Sequence, residues 1–317
     1  MSTAVHTLRR TTVRRLGWRW VRRAAAAATL AVLVWRLGTG PFLDGVRSVD
    51  AGALAAAAGI AALTTVCYGW RWKVVARALG VDLPLRSAVA AYYRSMFLNV
   101  TLPGGVVGDV HRGVSHGRDV DDVGRALRSV VWERVAGQAI QILLTVVVLL
   151  ALPSPVRSSM PVVAIVLLAV ALGIALVVRA RPHGDVRRAL LARSAWPGIA
   201  MTSPVIVAGH AATFLIAARA AGVTAPVSRM LPLALLVIAA MVLPSVGGWG
   251  PREGVAAWVF GAAGLGAQHG VATAVVYGVM MLVASLPGAV VLVMAWFRPV
   301  RPAGRAQPPL RRRPARA

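Results

Sequence analysis

Apolar residues in this chain run together in long blocks divided by short basic stretches. Six blocks read as membrane spans, at 24–40, 51–69, 129–152, 161–178, 197–218 and 271–296. Each is about long enough to cross ~30 Å of hydrocarbon at ~1.5 Å per helical residue. Two further apolar stretches do not fit a simple span. One is AVAAYYRSMFLNVTLPGGVVG at 88–108, which contains Arg94, Asn99, Pro103 and glycines. The other is 230–265, interrupted by PSVGGWGPRE at 244–253. Pro and Gly free backbone groups that lipid cannot satisfy, so such breaks survive only where protein or a wet cavity covers them. Both stretches are therefore expected to be re-entrant helical hairpins; the rival reading makes 88–108 an ordinary span.

The order of elements repeats. Residues 24–152 read span, span, interrupted segment, span, and residues 161–296 read the same way. Three crossings per half invert the second half relative to the first. Inverted repeats with broken helices meeting inside the membrane are a transporter architecture. The interrupted segments also resemble each other: Leu102-Pro103, Gly108-Asp109 and Arg112 in the first, Leu243-Pro244, Gly250 and Arg252-Glu253 in the second. The expected fold is all-α and membrane-integral, with about six transmembrane helices and two hairpins in an inverted repeat.

Charge supplies the orientation. The tail 1–23, the loops 70–87 (Arg71, Lys73, Arg77, Arg86) and 179–193, and the tail 298–317 hold 23 of the 35 basic residues. All of these fall on one side if there are six crossings, which places both termini in the cytoplasm of a plasma-membrane protein. The start resembles a signal peptide, but Val34-Trp35-Arg36 interrupts the end of its apolar run, so an uncleaved first span is expected. The Arg- and Pro-rich tail 298–317 is expected to be disordered. Trp18, Trp20, Trp70, Trp72, Trp196 and Trp296 lie near span ends, as an interfacial aromatic belt requires.

Composition closes off the other classes. The chain is 58% hydrophobic and only 14% charged, with mean hydropathy +0.70. Soluble domains are nearer a quarter charged, so a pair of soluble domains is excluded. The net charge of +25 could suggest nucleic acid, but the arginines sit at the ends of apolar runs, which orientation in an anionic bilayer explains better. Lys73 is the only lysine among 35 basic residues, a bias that points to a GC-rich bacterial genome. Cys67 is the only cysteine, so no intrachain disulfide can form and no Cys/His metal spacing exists. No cofactor is expected, and without a nucleotide-binding loop ATP hydrolysis is not expected either.

Three stretches in order carry a family resemblance: MFLNVTLPGGVVGDVHR (96–112), VVWERVAGQ (130–138) and LPSVGGWGPREG (243–254). Together they resemble the lysylphosphatidylglycerol-synthase-type transmembrane, or flippase-like, family over roughly 24–296. That family's pattern is Phe-x-Asn before Leu-Pro, Gly-Gly-Asp-x-x-Arg, a downstream Glu-Arg, and a late Pro-x-x-Gly-Gly-x-Gly-x-Arg-Glu. The chain departs from it at Val107, which replaces the first glycine of Gly-Gly-Asp. The resemblance implies the passage or handling of a membrane lipid. Some members carry a cytosolic aminoacyl-transferase domain; an Arg-rich tail stands here instead, so synthase activity is not carried over.

Candidate chemistry centres on the two glutamates, Glu133 and Glu253, each beside an arginine, Arg134 and Arg252. A lone charge in the bilayer core costs at least ~3 kcal/mol, so partners or a wet cavity are expected. Arg112, Arg134 and Arg252 offer planar forks suited to the phosphate of an anionic headgroup, with Asp109, Glu133 and Glu253 orienting them. The alternative is that each acid–arginine set locks its hairpin and touches no substrate, which is the reading favoured for Glu133 and Arg134. Asn99 contacts a headgroup or caps the broken helix. Pro103, Gly108, Pro244, Gly247, Gly248 and Gly250 shape the breaks. Arg94 is expected to snorkel or pair, and His210, Gln138 and Gln141 to face the bundle interior. Asp119, Asp121 and Asp122 with Arg118 and Arg125 read as a solvated face.

Three functions remain open at this point: translocation of a lipid or lipid-linked intermediate; a polyprenyl-phosphate-dependent glycosyltransferase using Asp44 or Asp50 in the first external loop; and a non-transporting envelope-assembly partner. No acid- or His-rich constellation accompanies Asp44 and Asp50, so an enzyme is not expected.

Overall fold

A computed structural model describes residues 49–102, 105–152, 194–243 and 249–296, with Ser245 and isolated positions at 165, 169, 172, 173 and 176. The expected spans at 24–40 and 161–178 and both tails lie outside the described residues, apart from those isolated positions. Among the described residues the regular structure is helical: α1 Ala51–Ala78, α2 Leu85–Thr101, α3 Val107–Asp119, α4 Val123–Ala151, α5 Trp196–Ala220, α6 Val227–Ala240, α7 Pro251–Ala262 and α8 Ala267–Trp296. Four of these helices, α1, α4, α5 and α8, are long and apolar enough to cross a membrane.

Helix ends differ from the hydropathy boundaries where charge is compensated by tertiary contacts. The apolar run 51–69 continues as helix to Ala78, so Arg71 and Lys73 are helical residues rather than loop residues. Hydropathy stops at the first charge, whereas the helix stops only where its backbone bonding ends. Likewise α4 starts at Val123, six residues before the expected 129, where the Asp122 carboxylate accepts from the Arg125 N–H at 2.8 Å and caps it. Asp50 caps α1 in the same way, accepting from the Ala53 N–H at 2.8 Å, which gives this residue a structural part.

Each interrupted stretch is a pair of helices folded back on one another. In the first, Asn99 on α2 accepts from the Gly108 N–H on α3 at 2.8 Å across the break. Asn99 thus caps the second limb, supplying one of the acceptors that a helix start lacks. In the second, Arg229 near the start of α6 donates to the Ala263 carbonyl just beyond α7 at 2.5 Å. The second limb of the first hairpin runs to Asp119, well past the expected end at 108. Asp109 and Arg112 therefore lie on a packed helix and not in a turn.

The helices meet in matched pairs. On the α1–α5 contact, Gly198 lies beside Trp70 and Val74, and Gly209 beside Ile60 and Thr64, so the two run antiparallel. Helix α8 packs on the first limb of the first hairpin, α2, and α4 packs on the first limb of the second, α6. The two breaks adjoin: a Cβ added to Gly105 would fall 2.9 Å from Ser245 Oγ. Lipid tails are as apolar as leucine, so close van der Waals packing through small residues holds such helices together. Gly108 shows this directly, because an added Cβ would fall 2.1 Å from the Ser95 carbonyl oxygen. Val107 beside it is 37% exposed. That explains why a valine stands where the family pattern has glycine: the close approach is at 108 alone.

Candidate functional site

Helices α1 to α4 converge on Glu133, which is completely buried. Its Oε1 accepts from Arg71 Nε at 2.8 Å and Nη2 at 2.6 Å. Its Oε2 accepts from the Tyr92 hydroxyl at 2.5 Å and Arg112 Nη2 at 2.8 Å. A carboxylate has about four lone-pair directions, and all are used. Arg71 also donates to Ser203 Oγ on α5 at 3.1 Å, which ties the second half to the cluster. The Arg112 guanidinium lies 4.1 Å from the Tyr92 ring centroid and 4.6 Å from that of Trp72. Desolvating such charges is costly, and only this density of partners offsets it.

Arg71 is the residue that the sequence reading missed, counted there as a loop charge. The available signal was Glu133: an acid adjoining an apolar block needs a cationic partner, and another helix can supply it. Trp72 was assigned to the interfacial belt with Trp70 and Trp196. Trp70 and Trp196 are exposed, but Trp72 is fully buried and donates through Nε1 to Ser129 Oγ at 2.9 Å. An indole buried next to a charge cluster finds a partner there rather than at the headgroups.

Asp109 forms the outer edge of the cluster. Its Oδ1 accepts from Arg112 Nε at 3.0 Å and Ser95 Oγ at 3.2 Å. Its Oδ2 accepts from Arg134 Nη2 at 2.5 Å and Asn99 Nδ2 at 3.4 Å. The Arg134 side chain is 48% exposed. Arg112, in contrast, is fully enclosed. Adjacent residues on α4 thus differ in exposure: Glu133 is enclosed and Arg134 is half exposed.

The second motif forms its own cluster. Arg252 Nε and Nη2 donate to Glu253 Oε1 at 2.9 and 2.5 Å, while Glu253 Oε2 accepts from the Gly250 N–H at 2.7 Å and closes the start of α7. Both side chains are buried. The Arg252 guanidinium sits 5.4 Å from the ring centroids of Trp249 and Tyr277. Pro103, Pro244, Gly247 and Gly248 lie outside the described residues.

A hydrogen-bonded aromatic chain joins the two clusters. The Tyr277 hydroxyl lies 2.7 Å from His210 Nδ1, and His210 Nε2 lies 3.0 Å from the Tyr68 hydroxyl. Tyr68 stacks on Tyr92 at 5.1 Å, and Tyr92 bonds Glu133. His210 therefore bridges α1, α5 and α8 as an interhelical partner. Gln141 is buried and donates within α4 to Thr145 Oγ1 at 3.2 Å. Replacing His210 with phenylalanine strands two tyrosine hydroxyls, and each unsatisfied group costs ~1–3 kcal/mol. Thermal denaturation of the purified variant in detergent should show a lowered midpoint; an unchanged midpoint would remove the bridge from the account.

The family profile described as the lysylphosphatidylglycerol synthase TM region matches residues 19–288. The chain belongs to that family. No curated protein and no solved structure matches the chain. The family match spans both hairpins and both clusters, so the buried Arg–Glu sets belong to the membrane region that defines the family. A multi-pass membrane protein of the lipid-handling kind is the result.

Proposed function

We propose that this chain binds the anionic headgroup of a phospholipid or lipid-linked intermediate and carries it across the plasma membrane without altering it. The observation that carries the reading is a charge imbalance with an open side. Among the described residues, the guanidiniums of Arg71, Arg112 and Arg134 in the first cluster pair with two carboxylates, those of Glu133 and Asp109. Among the described residues this set is short of one negative charge, and its half-exposed member is Arg134. A phosphodiester supplies one negative charge and suits the guanidinium fork. Val106, Val107 and Val110, exposed on the same limb as Asp109, offer apolar surface for acyl chains. Arg112 and Arg252 are buried and act by holding the hairpins that present this edge.

Six crossings with both termini cytoplasmic, and an inverted repeat built on two re-entrant hairpins, complete the proposal. The antiparallel α1–α5 pair, the reciprocal α8–α2 and α4–α6 packing and the adjoining breaks support it.

The test is lipid movement in liposomes containing the purified chain and a headgroup-labelled anionic lipid. The wild type should move the label without chemical change. Arg134→Gln should lose most of that movement at unchanged membrane yield, because Asp109 keeps Arg112. Equal movement by the variant would remove Arg134 from the site. A chemically modified lipid would favour the glycosyltransferase reading, and no movement by the wild type would favour an assembly partner.

A further inference from the structure

His210 is a titratable group that the headgroup site does not use. It stands on α5 between the Tyr68 hydroxyl of α1, 3.0 Å from its Nε2, and the Tyr277 hydroxyl of α8, 2.7 Å from its Nδ1. A hydroxyl both donates and accepts, and it rotates to suit its neighbour. Neutral imidazole needs one donor and one acceptor, whereas imidazolium needs two acceptors. Two hydroxyls meet either demand with no heavy atom moving, so the tyrosine pair is a seat for both protonation states. Tyr277 is completely buried, while Tyr68 and His210 keep part of their surface exposed. Protons therefore exchange with the ring from the Tyr68 side.

The charges around the ring tie its proton to the anion site. From α1 comes Arg71, 5.1 Å from the Tyr68 ring centroid. From α4 comes Arg134, whose charge acts on His210 together with that of Arg71. From α7 comes Arg252, 5.4 Å from the Tyr277 ring centroid. Helix α6 carries Arg229, held on the Ala263 carbonyl, and α5 itself carries Arg219, held on the Val223 carbonyl. His269 of α8 is exposed and lies on the Leu265 carbonyl. The carboxylates on this side, Glu133 and Asp109, are those paired with Arg71, Arg112 and Arg134. A proton on His210 thus joins nearby arginine charge, and an anion at Arg134 offsets it. Coulombic attraction makes the two events cooperative, and linkage makes the cooperation reciprocal.

We infer that His210 takes up a proton as the anionic headgroup engages Arg134, and that headgroup and proton cross together as a neutral pair. The proton comes from water on one side and returns to water on the other; no bond to the lipid forms or breaks. This rests on the headgroup-binding reading above and adds its driving force, a pH difference across the membrane.

The full chain in non-ionic detergent is titrated calorimetrically with short-chain phosphatidylmethanol, a phosphodiester lipid with a fixed negative charge and no other ionisable group. Titration in two buffers of different ionisation enthalpy counts the protons taken up. The wild type should approach about one proton per lipid at the pH of maximal uptake. His210→Gln keeps a donor and an acceptor for the two hydroxyls but has nothing to protonate, so its uptake should fall to about zero while lipid still binds. Tyr277→Phe removes the acceptor at Nδ1, and uptake should fall there too. In liposomes the wild type should move labelled anionic lipid toward the alkaline leaflet under a pH gradient, and a potassium diffusion potential should not redistribute it. Lipid drawn by the potential and not by the pH gradient would overturn the coupling without recourse to any variant. Binding without proton uptake at any pH would also overturn it and leave headgroup binding intact. Uptake unchanged in His210→Gln would assign the proton to another group and overturn the inference. Dimethyl phosphate, the same anion without acyl chains, should not bind at concentrations where the lipid saturates. Equal binding of the two would assign the edge to a soluble anion and overturn both readings, as would a wild type that binds no lipid.

Discussion

Replacing Glu133 with alanine is expected to remove the folded protein from the membrane almost entirely. The carboxylate is the common acceptor for Arg71, Tyr92 and Arg112, drawn from α1, α2 and α3. Without it, among the described residues, Arg112 keeps its hydrogen bond to Asp109 and Arg71 only that to Ser203. Breaking a buried pair by deleting one partner costs ~3–5 kcal/mol, because the remaining charge is left uncompensated. That is a large share of the ~5–15 kcal/mol that holds a typical protein folded. Glu133→Gln keeps the shape and loses the charge, so it should also destabilise, by a smaller amount. The measurement is detergent-extracted monodisperse yield and melting temperature, with Arg134→Gln as the comparison. The two residues are adjacent in sequence, yet only Glu133 is enclosed. Wild-type yield for Glu133→Ala would mean that the cluster does not hold the helices together.

Gly108→Ala should be the next most damaging change, though it adds a single methyl group. Its Cβ would fall 2.1 Å from the Ser95 carbonyl oxygen and 2.6 Å from Ser95 Cα, and both obstacles are backbone. The limbs of the first hairpin must then separate. Overpacking of this sort typically costs ~1–3 kcal/mol and sometimes more. Separation would also pull Asp109 from Ser95 and Asn99, and Arg112 from Glu133, so the proposed headgroup binding should fall with stability. Gly288→Ala should act from the opposite side of α2, with its Cβ 2.0 Å from the Tyr93 carbonyl oxygen. Val107→Ala, on an exposed side chain, should stay within about 0.5 kcal/mol of wild type. Melting curves of the variants decide this; equal midpoints for Gly108→Ala and Val107→Ala would show that the hairpin does not need the close approach.

The sequence alone determined the environment and the punctuation of this protein. Long apolar blocks can be stable only in lipid or in a core, and 58% hydrophobic content is too much for a core with this little charge around it. Clustered Pro and Gly at 102–108 and 243–250 mark where helices break, whereas the single prolines Pro204, Pro232 and Pro287 are carried inside α5, α6 and α8. The order of motifs gave the family, since Asp109, Arg112, Glu133, Arg252 and Glu253 could be recognised from their spacing. What only the tertiary structure decided was the partnership of each charge. Arg71 reads as a loop cation because hydropathy scores each residue as if it faced its solvent alone. In the folded chain a glutamate 62 positions away removes that cost. The same holds for Trp72, drawn inward by Ser129, and for Arg134, left half exposed while its neighbour is buried. Pairing energies depend on distance in space, which a linear sequence does not carry. Which arginine is enclosed and which stays half exposed is therefore settled by the packing of four helices around Glu133.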